Sequence, residues 1–245
     1  VPLLSRQILT KSGAKNIATF HAKLPDTVMS RTIERVITPY TKSILKYLDS
    51  FTAVSTAAAD YVSDLTDRRI AIVPNGIDLA KYSPLAGRAV PSNVPSNVLY
   101  VGRLEKRKGL IYLVRAMQHV QANYPDTVLR IVGDGPDRTQ LERYAKELGV
   151  QVVFYGWVTE ADKLRLLSEA TVFCSPARYG ESFGIVLLEA MAAGVPTVAG
   201  DNPGYVAVMQ ETGALSIVNP QDTDNFARRL ELFIADQGLR KHWKS

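Results

Sequence analysis

The chain has 245 residues, 46% hydrophobic and 22% charged, enough for a substantial core in one large α/β domain or in two smaller ones. Twenty-nine Lys and Arg against 24 Asp and Glu leave a net charge of +5, which suits phosphorylated small molecules or an anionic membrane surface; the lack of a basic block interleaved with aromatics argues against nucleic acid. The single cysteine, Cys174, forms no internal disulfide, which fits a cytoplasmic location, and no run reaches the roughly 18 apolar residues of a membrane span.

Val1–Leu4 is too short for a signal peptide. The chain opens without Met and closes on "RKHWKS", which reads as a fragment. "KNIATFHA", 15–22, reads as a buried strand ending at His21, and Met29 to about Asp49 has its apolar residues at helical spacing. "SFTAVS", 50–55, is a strand, followed by a helix with a Ser/Thr start and by a strand over 69–73 that ends in a Pro-Asn-Gly turn. The Pro-, Gly-, Ser- and Asn-rich stretch 85–97 predicts a linker, dividing the chain into domains 1–84 and 85–245. Beyond it strands are expected at 97–102, 127–133, 150–156, 171–176, 196–200 and 215–220, alternating with helices. That alternation predicts an α/β fold with a parallel, doubly wound sheet and helices on both faces.

In such a sheet ligands bind where the carboxyl ends of strands run into helices. In "VGRLEKRKG", 101–109, a strand ends at Gly102, and Arg103 and Lys108 follow just before a helix. Two cations beside free helix amides suit a diphosphate, and a solvated basic loop has the same composition. "IVGDGPD", 131–137, lacks the third glycine of a dinucleotide fingerprint because Arg138 stands there, and it reads as a tight turn. Glu160 and Lys163 open a helix, as an ordinary capped start or as readers of a nucleobase edge.

The stretch "ARYGESFGIVLLEAMAAGVPTVAG", 177–200, carries two acids. Ser182 is expected to cap a helix whose first amides, those of Phe183, Gly184 and Ile185, form a second anion cradle. Glu189 lies further along it among apolar residues, where an unpaired carboxylate costs several kcal/mol. Its partner is either the hydroxyls of a bound sugar or a Lys or Arg elsewhere in the chain. Glu181, before the helix, is placed to hold a substrate hydroxyl.

Together "GR" and "KG" within 102–109, "GDGP" at 133–136, "FYGWV" at 154–158 and "GESFGIVLLEAMAAGVPTVA" at 180–199 resemble the family 4 retaining glycosyltransferases of GT-B fold. Glu181 and Glu189, with seven residues between them, match that family's E-x7-E motif, and "IVPNGIDLAKYSP", 72–84, looks like its interdomain segment. Within the family, "IATFHA", "ITPYTKSILKYLDSFTAVS" and "GESFGIVLLEAMAAG" are most similar to the phosphatidylinositol mannosyltransferases. The resemblance implies a partial N-terminal Rossmann-like domain on the acceptor side, over 1–84, and a nucleotide-sugar-binding Rossmann-like domain over 85–245.

It also implies residue roles. Arg103 and Lys108, at the loop opened by Gly102, neutralise the donor pyrophosphate, and the amides at Gly184 and Ile185 reach the distal phosphate. Glu189 holds the ribose, Glu181 the transferred sugar, Glu160 and Lys163 the base, and His21 faces the sugar and diphosphate. The implied donor is GDP-mannose, with a UDP-sugar or a donor-binding fragment inactive alone as alternatives; the implied acceptor is a lipid or glycan, with peripheral contact to the inner face of an anionic membrane. No cofactor or metal is expected, since cations and amides meet the leaving diphosphate. The Asp-x-Asp of "QDTDN", 221–225, reads as a helix cap. Same-face attack then retains the anomeric configuration.

Overall fold

The computed structural model describes residues 2–11, 13–21, 38–86, 95–209 and 215–243. Most of the helix expected over 29–49, and 87–94 of the expected linker, lie outside them. The chain forms two compact units, Val1–Asn75 with Gly180–Phe183, and Gly76–Tyr179 with Gly184–Ser245.

In the first unit, helix α1 (Pro2–Lys11) precedes strand β1 (Ile17–Phe20), helix α2 (38–45), strand β2 (Ser50–Ala53), helix α3 (Thr56–Ser63) and strand β3 (Ile70–Ile72). Among the described residues the strands form one parallel sheet of order β1-β2-β3. Ser55 starts α3 by accepting the Ala58 amide at 3.1 Å, the N-cap that the sequence predicts. Leu45, Leu48 and Phe51 form one small core and Ala53, Val54 and Ala58 another, the latter packed against Phe183.

The second unit opens with a helix absent from the sequence reading, α4 (Leu79–Ala86), whose first turn is held by Asp78 Oδ1 accepting from the Ala80 amide at 3.1 Å. Tyr82 and Leu85 bury its inner face. The unit boundary therefore falls at 75/76 rather than at 84, since α4 packs into the second core. Strands β4 (Asn97–Val101), β5 (Val128–Val132), β6 (Val152–Gly156), β7 (Val172–Ser175), β8 (Thr197–Gly200) and β9 (Ile217–Val218) follow. They alternate with helices α5 (Leu110–Asn123), α6 (Arg138–Glu147), α7 (Glu160–Glu169), α8 (Ile185–Ala192), α9 (Pro203–Met209), α10 (Thr223–Ala235) and α11 (Gln237–Trp243).

Among the described residues the six strands form one parallel sheet of order β6-β5-β4-β7-β8-β9. Helices cover both faces, so β4 and β7 are apolar runs rather than alternating ones. Val98 and Tyr100 face a core built with α5, α6 and α10; Leu99 faces the other, built with α4, α7, α8 and α9. Asp222 caps α10 by accepting the Asn225 amide at 3.1 Å, as expected of "QDTDN".

Candidate functional site

Strand order reverses between β4 and β7, since β5 and β6 lie on one side of that pair and β8 and β9 on the other. In a doubly wound sheet this reversal opens a crevice at the carboxyl ends of the two strands. The loop after β4 carries Arg103 and Lys108, and the chain after β7 leads into α8 and Glu189.

The β4 loop is anchored at one residue and outward-facing at the rest. Leu104 is fully buried and its amide donates to the Asp134 carbonyl at 2.9 Å, while Tyr100 Oη donates to the Arg103 carbonyl at 3.0 Å. Arg103, with a side chain 66% exposed, stands 3.7 Å from Glu105, and Arg107 pairs with Glu105 at 2.6 Å. Lys106–Lys108 form a 3-10 turn that ends at Gly109, whose φ of 71° also starts α5. Four cations against one carboxylate leave this loop positive.

The glycines of these loops admit protein backbone. A Cβ at Gly133, where φ is 118°, would lie 2.0 Å from the Gly102 carbonyl oxygen, and one at Gly135 would lie 2.3 Å from that of Leu104. The tight turn of "GDGP" thus packs the β5 loop against the β4 loop. The β4 and β7 loops also touch, with Arg178 N donating to the Arg107 carbonyl at 3.3 Å.

The start of α8 differs from the sequence expectation. The helix begins at Ile185 with Gly184 as its N-cap, at φ 93°, and makes no side-chain cap bond. Ser182 is therefore not the cap: its carbonyl accepts from the buried Ser55 hydroxyl in the first unit. Phe183 packs in that unit's second small core, so its amide is not among the first of α8. Gly184 is needed for its positive φ and because a Cβ there would meet the Tyr205 ring at 2.6 Å. Ile185 remains the exposed first residue of the helix. Glu181 is half-buried and Ser182 buried in the first unit, and His21 is exposed at the end of β1.

Glu189, just over one turn into α8, has protein partners. Its Oε1 accepts from Lys163 Nζ at 3.0 Å and from Tyr82 Oη at 3.0 Å. Lys163 also meets Glu160 Oε2 at 3.0 Å, so α7 and α8 share one ammonium between two carboxylates. The Lys163 and Glu189 side chains are each only 15% exposed, which makes the pairing necessary: either charge left alone there costs several kcal/mol. Burial alone would lower Lys163, but its bonds to Glu189 and Glu160 outweigh that and hold the ammonium above its ordinary value. Burial, reinforced by the bond to Glu189, pushes the Tyr82 phenol up to about 12.

Glu160, Lys163 and Glu189 thus converge in the second unit, on helices that follow β6 and β7, while Arg103 and Lys108 lie on the loop after β4. The sequence reading missed Tyr82. Its signal was present: Asp78 as a cap, then Tyr82 and Leu85 three residues apart, obscured by Pro84 and by the neighbouring turn residues.

This architecture is that of a GT-B glycosyltransferase. The structure is similar over 100% of the chain to Anabaena HepE solved with UDP and glucose (TM-score 0.81, 20% identity, 68% of that chain). It is also similar over 99% of the chain to sucrose-phosphate synthase from Thermosynechococcus elongatus (TM-score 0.78, 26% identity, 65% of that chain). The family model described as Glycosyl transferases group 1 matches residues 91–245, and the one described as Glycosyltransferase Family 4 matches residues 2–81. The chain belongs to the group 1 glycosyl transferases, with the family 4 signature in its first unit.

Among curated relatives, the phosphatidyl-myo-inositol mannosyltransferase of Mycolicibacterium smegmatis is 32% identical over 98% of this chain and 61% of its own length. That of Mycobacterium tuberculosis is 34% identical over 90% of this chain and 58% of its own length. The chain spans about three fifths of these relatives.

Proposed function

We propose that the chain carries the donor site of a retaining glycosyltransferase that moves mannose from GDP-mannose to a lipid acceptor. The observation that carries this reading is the cluster at Glu189, a carboxylate with one oxygen taken by Lys163 and Tyr82, in the same unit as the cationic loop that follows β4 at the sheet's switch point. Among the described residues no hydrogen bond or ion pair goes to Oε2 of Glu189, which is the oxygen available to a ribose diol. Glu160, half-exposed on α7, suits the donor edge of guanine, since a carboxylate accepts from its N1 and N2 hydrogens.

As the bond from the sugar's C1 to the diphosphate breaks, negative charge grows on the leaving group and positive charge on the ring. Arg103 and Lys108, on a loop whose backbone is held at Leu104, supply counter-charge to the first without a divalent ion. The amide of Ile185 adds a donor at the head of α8. Glu181 is assigned the transferred sugar and His21 the sugar-diphosphate side by family resemblance. The acceptor hydroxyl attacks from the face the diphosphate leaves, which retains the anomeric configuration.

The mannosyltransferase relatives support mannose as the transferred sugar; the UDP bound in the HepE structure favours a UDP-sugar as the second reading. The same relatives, by their phosphatidyl-myo-inositol substrate, support a lipid acceptor, and the +5 charge suits contact with an anionic membrane. Among the described residues no helix is long and apolar enough to cross a membrane.

Calorimetric titration with GDP, GDP-mannose and UDP-glucose in the presence of a chelator tests the proposal. The expected result is guanine-nucleotide binding that falls at least about tenfold in Glu189→Ala and in Lys108→Ala, as loss of a charge-assisted contact predicts. Preference for the uridine ligand selects the second reading. Binding that needs a divalent ion overturns the charge scheme, and no binding to any of the three overturns the donor site.

A further inference from the structure

Tyr82 reaches Glu189 from a helix that belongs to neither of the elements carrying the carboxylates. α4 packs on both α7 and α8, the helices of Lys163 and Glu189, and so sets one against the other. The Tyr82 ring is 3% exposed and lies in the same core as Leu85, Leu187 and Ala190. A ring with two side-chain torsions, both packed, delivers its hydroxyl to a fixed point. That hydroxyl donates to Oε1 of Glu189, the oxygen that also takes Lys163, each at 3.0 Å.

From this geometry we infer that Tyr82 is a positioning residue for donor binding: with Lys163 it fixes one oxygen of Glu189 and thereby commits the other to the ribose hydroxyls. The inference rests on the donor-site reading above, in which Glu189 meets the ribose. Two donors on one oxygen define the plane of the carboxylate, whereas Lys163 alone leaves it free to rotate about its last torsion, which is broad for Glu. A flexible lysine is also a point charge with three equivalent donors, while the phenol offers one directed proton. An ordinary phenol already keeps that proton throughout the neutral range, and burial beside Glu189 raises its pKa further.

The alternative is a core tyrosine whose hydroxyl needs a partner and finds the nearest carboxylate. Tyr82→Phe separates the two, since it keeps the buried ring and removes only the donor. Calorimetry would compare wild type, Tyr82→Phe and Glu189→Gln with GDP and with 2′,3′-dideoxy-GDP, and with the corresponding uridine pair. Melting temperatures would report on folding.

The expected result is that wild type prefers the ribose ligand over its dideoxy analogue. Tyr82→Phe should lose about 3- to 10-fold in affinity for the ribose ligand, in line with one hydrogen bond, and bind the dideoxy analogue as wild type does. Glu189→Gln should lose the same preference. If Tyr82→Phe retains the full wild-type preference, or loses affinity for both ligands equally, the positioning role falls while the Glu189 assignment stands. If wild type fails to discriminate the pair, or binds neither nucleotide, the donor-site reading fails and takes the inference with it.

Discussion

The two compact units differ in how their sheets are closed. In the second, six strands carry helices on both faces, and Leu113, Met117, Phe173 and Leu187 are wholly buried. In the first, β1 forms one edge of the described sheet, Ile17 is 62% exposed, and an apolar hollow of about 420 Å³ lies among Ile8, Ile17, Phe20, Ile44 and Leu48. Burial stabilises in proportion to apolar area removed from water, and close packing holds the surrounding side chains in place. The second unit is where the ion-pair cluster sits, and a rigid surround is what a buried charge pair requires to offset its desolvation.

Breaking the second unit should have the largest effect. Gly133→Ala adds a Cβ within 2.0 Å of the Gly102 carbonyl oxygen at a φ of 118°. Strain and overpacking together should cost about 4–5 kcal/mol, measured by denaturant unfolding. Leu113→Ala, in the closed core, should cost about 4 kcal/mol, and Leu45→Ala, beside the hollow of the first unit, about 2 kcal/mol, because a site open to solvent leaves less of a sealed cavity. Equal losses would remove the contrast between the units.

The helix caps sharpen it on a smaller scale. Thr159 caps α7 by accepting the Asp162 amide at 3.1 Å, so Thr159→Ala should cost about 1 kcal/mol. Ser55→Ala should cost about 1–2 kcal/mol, since that hydroxyl both caps α3 and donates to the Ser182 carbonyl, so two hydrogen bonds are lost. Thermal melts of the two variants give the comparison.

The smallest effect is confined to alkaline pH. Tyr82 and Lys163 both have raised values, so their contribution is fully present below 10.0 and 10.5 respectively and is lost as pH climbs through their folded values, for Tyr82 about 12. Stability should therefore decline between pH 10 and 12, less steeply in Glu189→Gln. The phenolate absorbance difference between wild type and Tyr82→Phe should titrate near 12.

Much of this was legible in the residues. The alternation of apolar runs with helical periods gave away a parallel sheet, because each strand is covered on both faces and each helix on one. Capping at Ser55 and Asp222 was equally readable, since a cap is a local bond between residues three apart. The α8 start was not: Ser182 looks like a cap, yet its neighbours are claimed by the first unit and the helix waits for Gly184.

By itself, then, the sequence determined the order of elements, the positive loop after β4, and the requirement that Glu189 find a partner. It could not say which. Lys163 stands 26 residues away and Tyr82 107 residues away, on helices α7 and α4, and only the packing of those helices against α8 brings both donors to one oxygen. Local periodicity determines which face of a helix is buried; which side chains meet across that face depends on helix placement, which is a property of the whole core.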